Sequence, residues 1–369
     1  MQQQKVLRYS AIAGILLLAA VWSLVSAGPG KADGGYPNAS ILATAQWLKT
    51  HADDPDRIIV DVRTDEHFDG KLIPGAVRLP WSLFRYNDTA INVGSRFVGA
   101  ERAQQILGEH GIGRTHAIVL YDSVERDGSA TASYLFWVLD VLGHGKKRIL
   151  DGGIDAWQRA GYALDSKPAS LSPILYQAPM AEIRSDRLID GEFVYRRLGD
   201  PFYQIIDVRS RPEYLGEKGT RDLRGNGLKL GHVPTAVNVN YVDNWTDTST
   251  KTVKPYPDLQ ALYKGMDPDK GVIVYCNSGR RSSFSYFVLR LMGIETVQTY
   301  EASWKQWGNP SMYYPVETAE RTLTGTALPG RSKSASRGPS STAATAETQS
   351  GGGGSAADQP RGGYVSCGG

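Results

Sequence analysis

Val272-Ile273-Val274-Tyr275-Cys276-Asn277-Ser278-Gly279-Arg280-Arg281-Ser282-Ser283 decides the fold. A β-preferring run ends in a cysteine and a polar turn, after which Phe284, Phe287, Val288, Leu291 and Met292 recur at helical spacing as far as Gly293. The pattern predicts a buried strand, a turn and a helix packed on a sheet, with glycine as the stop. In open α/β sheets made of such units, ligands bind beyond the carboxyl ends of the strands, and Cys276 stands there. Backbone N–H groups of the turn and of the helix N-terminus converge on that point and favour a thiolate, and Arg280 and Arg281 strengthen the field. Cys276 is therefore read as a nucleophile. A buried structural cysteine fits less well, because Asn277, Ser278, Gly279 and the two arginines are loop residues.

Outward from this unit, the chain repeats itself. Ile58-Ile59-Val60-Asp61-Val62-Arg63 returns as Ile205-Ile206-Asp207-Val208-Arg209, and Ile73-Pro74-Gly75-Ala76-Val77 returns as Val233-Pro234-Thr235-Ala236-Val237. Ala117 to Tyr121 matches Gly271 to Tyr275, and Trp157 matches Trp307. The offset stays near about 150 residues, which means a duplicated domain, since solenoid periods run from roughly 20 to 50. Short Val/Ile runs alternate with helical patterns in both halves, as in a parallel sheet covered on both faces. The first half carries its own helical stripe, Leu135, Val138, Leu139 and Leu142, closed by Gly143. The domains are placed at 38–165 and 185–317. From Thr318 onward Ser, Thr, Ala and Gly take over and apolar periodicity ends, so 318–369 is expected to be a disordered tail.

Composition narrows the classes. A net charge of +3 with no dense basic stretch gives no reason to expect nucleic acid. The six histidines show no metal-site spacing, so neither metal nor cofactor is expected. At the N-terminus, Lys5 and Arg8 precede an apolar run from Ala11 to Val25, then Val25-Ser26-Ala27 supplies small residues. Residues 1–27 read as an export signal cleaved after Ala27; the alternative is an uncleaved anchor, the one route to a membrane, although the run is marginal for crossing about 30 Å of hydrocarbon. Either reading puts the protein in the periplasm or outside the cell. The two cysteines, Cys276 and Cys367, do not form a disulfide framework, as neither domain holds a pair.

Together the repeated Asp-Val-Arg, Gly231-His232-Val233-Pro234, the Tyr275-to-Arg281 loop and Ser303-Trp304-Lys305-Gln306-Trp307 resemble the tandem-domain rhodaneses, the thiosulfate and 3-mercaptopyruvate sulfurtransferases. The likeness covers roughly residues 38 to 317. It implies two rhodanese domains, each a small parallel sheet flanked by helices, with the catalytic cysteine in the second. Asp122 stands in the first half where Cys276 stands in the second, and a carboxylate cannot carry a persulfide. The first domain is thus expected to be silent, either walling the cleft between domains or serving only as a spacer.

The chemistry implied is attack of the Cys276 thiolate on the outer sulfur of a sulfane donor, giving a persulfide, followed by transfer to cyanide, a thiol or a protein acceptor. Backbone N–H groups of Asn277, Ser278, Gly279, Arg280, Arg281 and Ser282 would stabilise thiolate and persulfide anions alike. Related cysteine phosphatases have five residues between cysteine and arginine; here four separate Cys276 from Arg281, a cradle sized for sulfur. Two arginines suit dianionic thiosulfate better than monoanionic 3-mercaptopyruvate, which stays as the alternative donor, and a non-catalytic persulfide-delivery module stays as the alternative function. Glu213 and Ser278 occupy positions where well-known relatives carry basic residues. The insertion from Glu217 to Leu230, with Lys218, Arg221, Arg224 and Lys229, either replaces that charge or is a solvated excursion. Asp207 and Arg209 are expected to support the loop as a structural pair. Cys367, in a Gly-Gly…Cys-Gly-Gly ending, weakly resembles the terminal arm of a bacterial sulfur-carrier subunit; about 50 flexible residues would give a reach on the order of 40 Å, enough to relay sulfur from Cys276. Without that role it is an idle thiol, or it pairs with Cys276 in an inactive disulfide.

Overall fold

Each half builds a five-stranded sheet in which every neighbour pair is parallel. The computed structural model describes residues 35–323. The first sheet uses β1 (Leu42–Ala43), β2 (Arg57–Asp61), β3 (Val77–Arg78), β6 (Ala117–Tyr121) and β7 (Lys147–Leu150), in the order β1-β7-β6-β2-β3. The second uses β8 (Leu188–Ile189), β9 (Tyr203–Asp207), β10 (Val237–Asn238), β11 (Gly271–Tyr275) and β12 (Val297–Tyr300), in the order β10-β9-β11-β12-β8. Read from the other edge, the second order repeats the first, as the sequence repeats predict. Both central strands are apolar and buried along most of their length because helices cover each face. The duplicated α/β architecture is borne out.

Register places the repeated motifs side by side. Asp61 pairs with Tyr121 and Asp207 with Tyr275 at the carboxyl ends of the central strands. One excursion has its own hairpin, β4 (Arg85–Asp88) antiparallel to β5 (Val93–Phe97).

Helix Ala130–Val141 is buried on all sides, not only along its predicted stripe. It lies against helix Arg280–Leu291 of the other half. Phe136 meets Phe287 edge-on at 5.1 Å, and the Tyr286 hydroxyl donates to Asp140, whose other oxygen holds Lys147 at 2.7 Å. One apolar core therefore runs through both halves, from Ile58, Val60 and Leu120 to Ile206, Val272 and Val274, while smaller clusters fill the outer face of each sheet.

The expected tail boundary at Thr318 moves. Residues 318–323 are held: Glu320 pairs with Arg211 at 2.6 Å, Arg321 with Glu317 at 2.8 Å, and the Tyr214 hydroxyl accepts from the Arg321 N–H. Leu323 packs on the core. Ion pairs and one apolar side chain hold this stretch without periodicity, so hydrophobic pattern alone gives no sign of it. The N-terminal 1–27 segment and Cys367 lie outside the described residues.

Candidate active site

β11 delivers Cys276 to the end of the second sheet, where it is 1% exposed. The turn curls around its sulfur: the Ser278 N–H lies 3.4 Å from Sγ and the Ser282 hydroxyl 3.6 Å. Gly279 closes the turn at φ +87°, where a side chain would be strained and would crowd Glu301. Helix Arg280–Leu291 then begins, with its N-terminus toward the sulfur.

From below, Ser303 braces the loop. Its hydroxyl accepts the Cys276 N–H at 3.0 Å and donates to the Tyr300 carbonyl at 2.7 Å. Trp304 N–H donates to the Cys276 carbonyl at 3.0 Å and Lys305 N–H to that of Asn277 at 2.9 Å. Ser303 takes φ +53° to do so; the matching residue of the first half is Gly153 at φ +59°. A serine tolerates this glycine-like conformation because its hydroxyl holds the cysteine's own N–H.

Burial opposes ionisation of the Cys276 thiol, but the Arg281 guanidinium, the Ser278 N–H and the Ser282 hydroxyl outweigh it and hold the thiol below its ordinary value. Arg281 itself is gripped by Glu213 through two bonds of 2.8 and 2.9 Å. Glu213 also receives Asn277 Nδ2 at 2.8 Å and the Ser210 hydroxyl at 2.7 Å. Burial would raise the Glu213 carboxyl; its bonds to Arg281 and Ser210 hold it well below the usual carboxylate range. Arg280 turns away to Asp127 of the first domain. Burial and neighbouring cations bring its guanidinium down to about 10. The two arginines expected to give the loop free positive charge each carry a carboxylate partner.

Asp207 and Arg209 form a buried pair at 2.6 Å, with Arg209 reaching the Gly231 carbonyl at 2.7 Å and Tyr275 OH donating to Asp207 at 2.6 Å. Asp61, Arg63 and Tyr121 repeat the arrangement in the half that lacks the cysteine. Two of the insertion's cations are held by backbone carbonyls. Lys229 Nζ bonds the Tyr314 carbonyl and Arg221 the Gly225 carbonyl, while Asp222 receives Asn92 of the first domain at 2.6 Å.

The first domain does form a wall. Arg85 donates to the Ser278 carbonyl; Asn309 Nδ2 lies 3.4 Å from the carbonyls of Ile91 and Asn92, and Lys305 Nζ lies 3.5 Å from Ser95 Oγ. The hairpin 85–97 thus covers the Cys276 loop. The segment 241–253 covers the first domain in turn, with Tyr241 OH on Asp127 at 2.9 Å and Lys251 Nζ on the Val124 carbonyl at 2.6 Å. Asp122 sits at the sulfur's equivalent position, accepting from Ser123 N–H at 2.6 Å and Thr131 N–H at 3.0 Å. Burial lifts its carboxyl to about 6 against those bonds. The sequence does not single out Arg85, Lys305, Ser303, Glu301 or Asp127 as site residues: each lies far along the chain from Cys276, and only Ser303 and Lys305 fall within a recognisable motif.

Known proteins agree with this geometry. Residues 44–160 and 191–310 match the profile of the rhodanese-like domain. The chain is 31% identical over 283 residues to the sulfur carrier protein TtuD of Thermus thermophilus, spanning 74% of this chain and 96% of that one. It is 27% identical over 297 residues to a thiosulfate sulfurtransferase of Corynebacterium glutamicum, spanning 78% and 93%. Among solved structures, the anaerobic ergothioneine biosynthesis enzyme from Chlorobium limicola shares the fold, with a TM-score of 0.65 at 22% identity over 77% of this chain and 71% of that one. With two matched domains, a repeated sheet order and a cysteine cradle in the second copy alone, the chain belongs to the rhodanese family of sulfurtransferases.

Proposed function

We propose that the protein moves sulfane sulfur from thiosulfate to a thiophilic acceptor by a ping-pong route through a Cys276 persulfide. The observation that carries this reading is the Cys276 sulfur at the end of β11, with the Ser278 N–H at 3.4 Å and the Ser282 hydroxyl at 3.6 Å. The thiolate attacks the outer sulfur of thiosulfate; the sulfur–sulfur bond breaks and its electron pair leaves on sulfite. Cyanide, a thiol or a protein thiolate then attacks the terminal persulfide sulfur and returns the Cys276 thiolate. No proton needs to move when the thiol is already ionised, so no general base is required. The N–H of Ser278 and the hydroxyl of Ser282 serve the persulfide anion as they serve the thiolate.

Thiosulfate is supported by the name of the Corynebacterium relative, and delivery to a protein by that of the Thermus carrier. The pairing of both arginines weakens the charge argument against 3-mercaptopyruvate. Steady-state assays with each donor, with cyanide and with protein thiols as acceptors, decide among these. Cys276→Ala is expected to abolish every transfer, and activity surviving it would overturn the mechanism. Export rests on the 1–27 pattern, and recovery of the mature chain in the periplasmic or culture fraction is the expected result. Mass spectrometry after thiosulfate loading tests the Cys367 relay: sulfur confined to Cys276, with protein transfer unchanged by Cys367→Ser, would remove it.

A further inference from the structure

At the catalytic end of the fold, the cations divide into those with a carboxylate partner and those without. Arg281 is neutralised by Glu213 and Arg280 by Asp127. Lys305 forms no ion pair among the described residues, and the one hydrogen bond of its ammonium there is to the Ser95 hydroxyl, at 3.5 Å. It projects from the short helix Ser303–Trp307, whose first N–H groups hold the Cys276 and Asn277 carbonyls. Burial opposes the charge of this ammonium and Arg85 repels it, while the Cys276 sulfur and the Glu301 carboxylate are both near enough to attract it. The buried Glu301 carboxylate answers part of that repulsion, although burial raises its own value; it makes no ion pair with the ammonium, whose donors stay open to an anion.

The repeat adds an independent observation. The brace of Cys276 by Trp304 has its counterpart in the Ile154 N–H, which donates to the Asp122 carbonyl at 3.0 Å. On that alignment, Lys305 corresponds to Asp155, which accepts the Val124 N–H at 2.7 Å and so closes the silent loop on itself. The active half reverses the charge at this position and leaves it facing the sulfur's surroundings.

We infer that Lys305 receives the anionic end of the sulfur donor, beside the first domain's Ser95, in place of the loop cations. This rests on the thiosulfate reading above. As Cys276 attacks the outer sulfur, negative charge accumulates on the departing sulfite, and an ammonium at that end stabilises it without proton transfer. Arg281 is left to serve the sulfur itself.

The test uses the full chain with thiosulfate, a dianion, and benzenethiosulfonate, a monoanionic sulfane donor, on Lys305→Met and Lys305→Arg. Lys305→Met is expected to raise KM for thiosulfate by about tenfold to a hundredfold, the range for one charge-assisted contact, and to raise it less for the monoanion. Lys305→Arg should stay within a few-fold of the wild type on both. An equal loss on both donors, or no loss, would overturn the assignment. So would an upward move in the pH profile of Cys276 alkylation by iodoacetamide with the donor ratio unchanged, which would make Lys305 a thiolate-stabilising residue instead. Should the wild type ignore thiosulfate, the donor reading fails by itself; Lys305 is then judged on 3-mercaptopyruvate, where an unchanged KM in Lys305→Met removes the anion seat and a raised one retains it.

Discussion

Arg281 acts on the sulfur although Glu213 neutralises it. The carboxylate fixes the guanidinium beside Cys276 and prevents it from wandering, so proximity outweighs the loss of net charge. Removing Arg281 alone would strand Glu213 as a buried unpaired anion, so the informative variant is Arg281→Gln combined with Glu213→Gln. A thiol held below its ordinary value keeps its thiolate as pH falls. In the double variant the inflection of the alkylation rate against pH should therefore move upward. Once the inflection lies above neutral, each further pH unit of that movement should lower the rate at neutral pH by roughly tenfold. An unmoved inflection would transfer the effect to the N–H groups and the helix end. Cys276 and its loop were legible because strand, turn and helix are local patterns. Glu213 was legible only as a departure from the family; that a carboxylate there would grip Arg281 depends on a separation of 68 residues, which no local pattern encodes.

At the scale of elements, the short helix Ser303–Trp307 is where local preference yields to the site. Positive φ at a serine is uncommon, and nothing in Ser303-Trp304-Lys305 announces it; the Gly153 counterpart shows the conformation, and the Cys276 N–H explains the side chain. Ser303→Ala should leave that buried N–H unpaired and lower stability by about 1–3 kcal/mol, read by denaturant unfolding, with a parallel loss of transfer rate. Ser303→Gly should be milder in stability, because the backbone strain is relieved while the hydroxyl is lost. The turn after Asp122 makes a complementary case. Helix Ala130–Val141 starts eight residues after Asp122, whereas helix Arg280–Leu291 starts four after Cys276. Asp122→Cys is accordingly expected to gain no sulfur at position 122 under thiosulfate loading, by mass spectrometry, since the arginine of the longer turn, Arg126, is engaged by His67 and Glu66. The Asp122 substitution was readable from the aligned repeats, but not the two N–H bonds that its carboxylate accepts.

Across the whole molecule, the duplicated domain and its helix-covered parallel sheets followed from the sequence repeats and periodicity, while the strand orders and the shared core did not. Stripes identify the face that a helix turns to its own sheet; they do not report that two such helices are pressed together, as Phe136 and Phe287 are. Because one core serves both halves, calorimetry should show a single unfolding transition. Phe287→Ala should lower its midpoint, with a destabilisation of about 3–5 kcal/mol, without splitting it in two; two separated transitions would mean independently stable halves. The exchanged covers carry a further consequence. Since the hairpin 85–97 beside the Cys276 loop is rooted in the other half, the way to the sulfur is bounded by both halves. The half that carries Asp122 in place of the cysteine thereby helps to shape the way to the half that carries Cys276, and its surface there is constrained by the other half's loop.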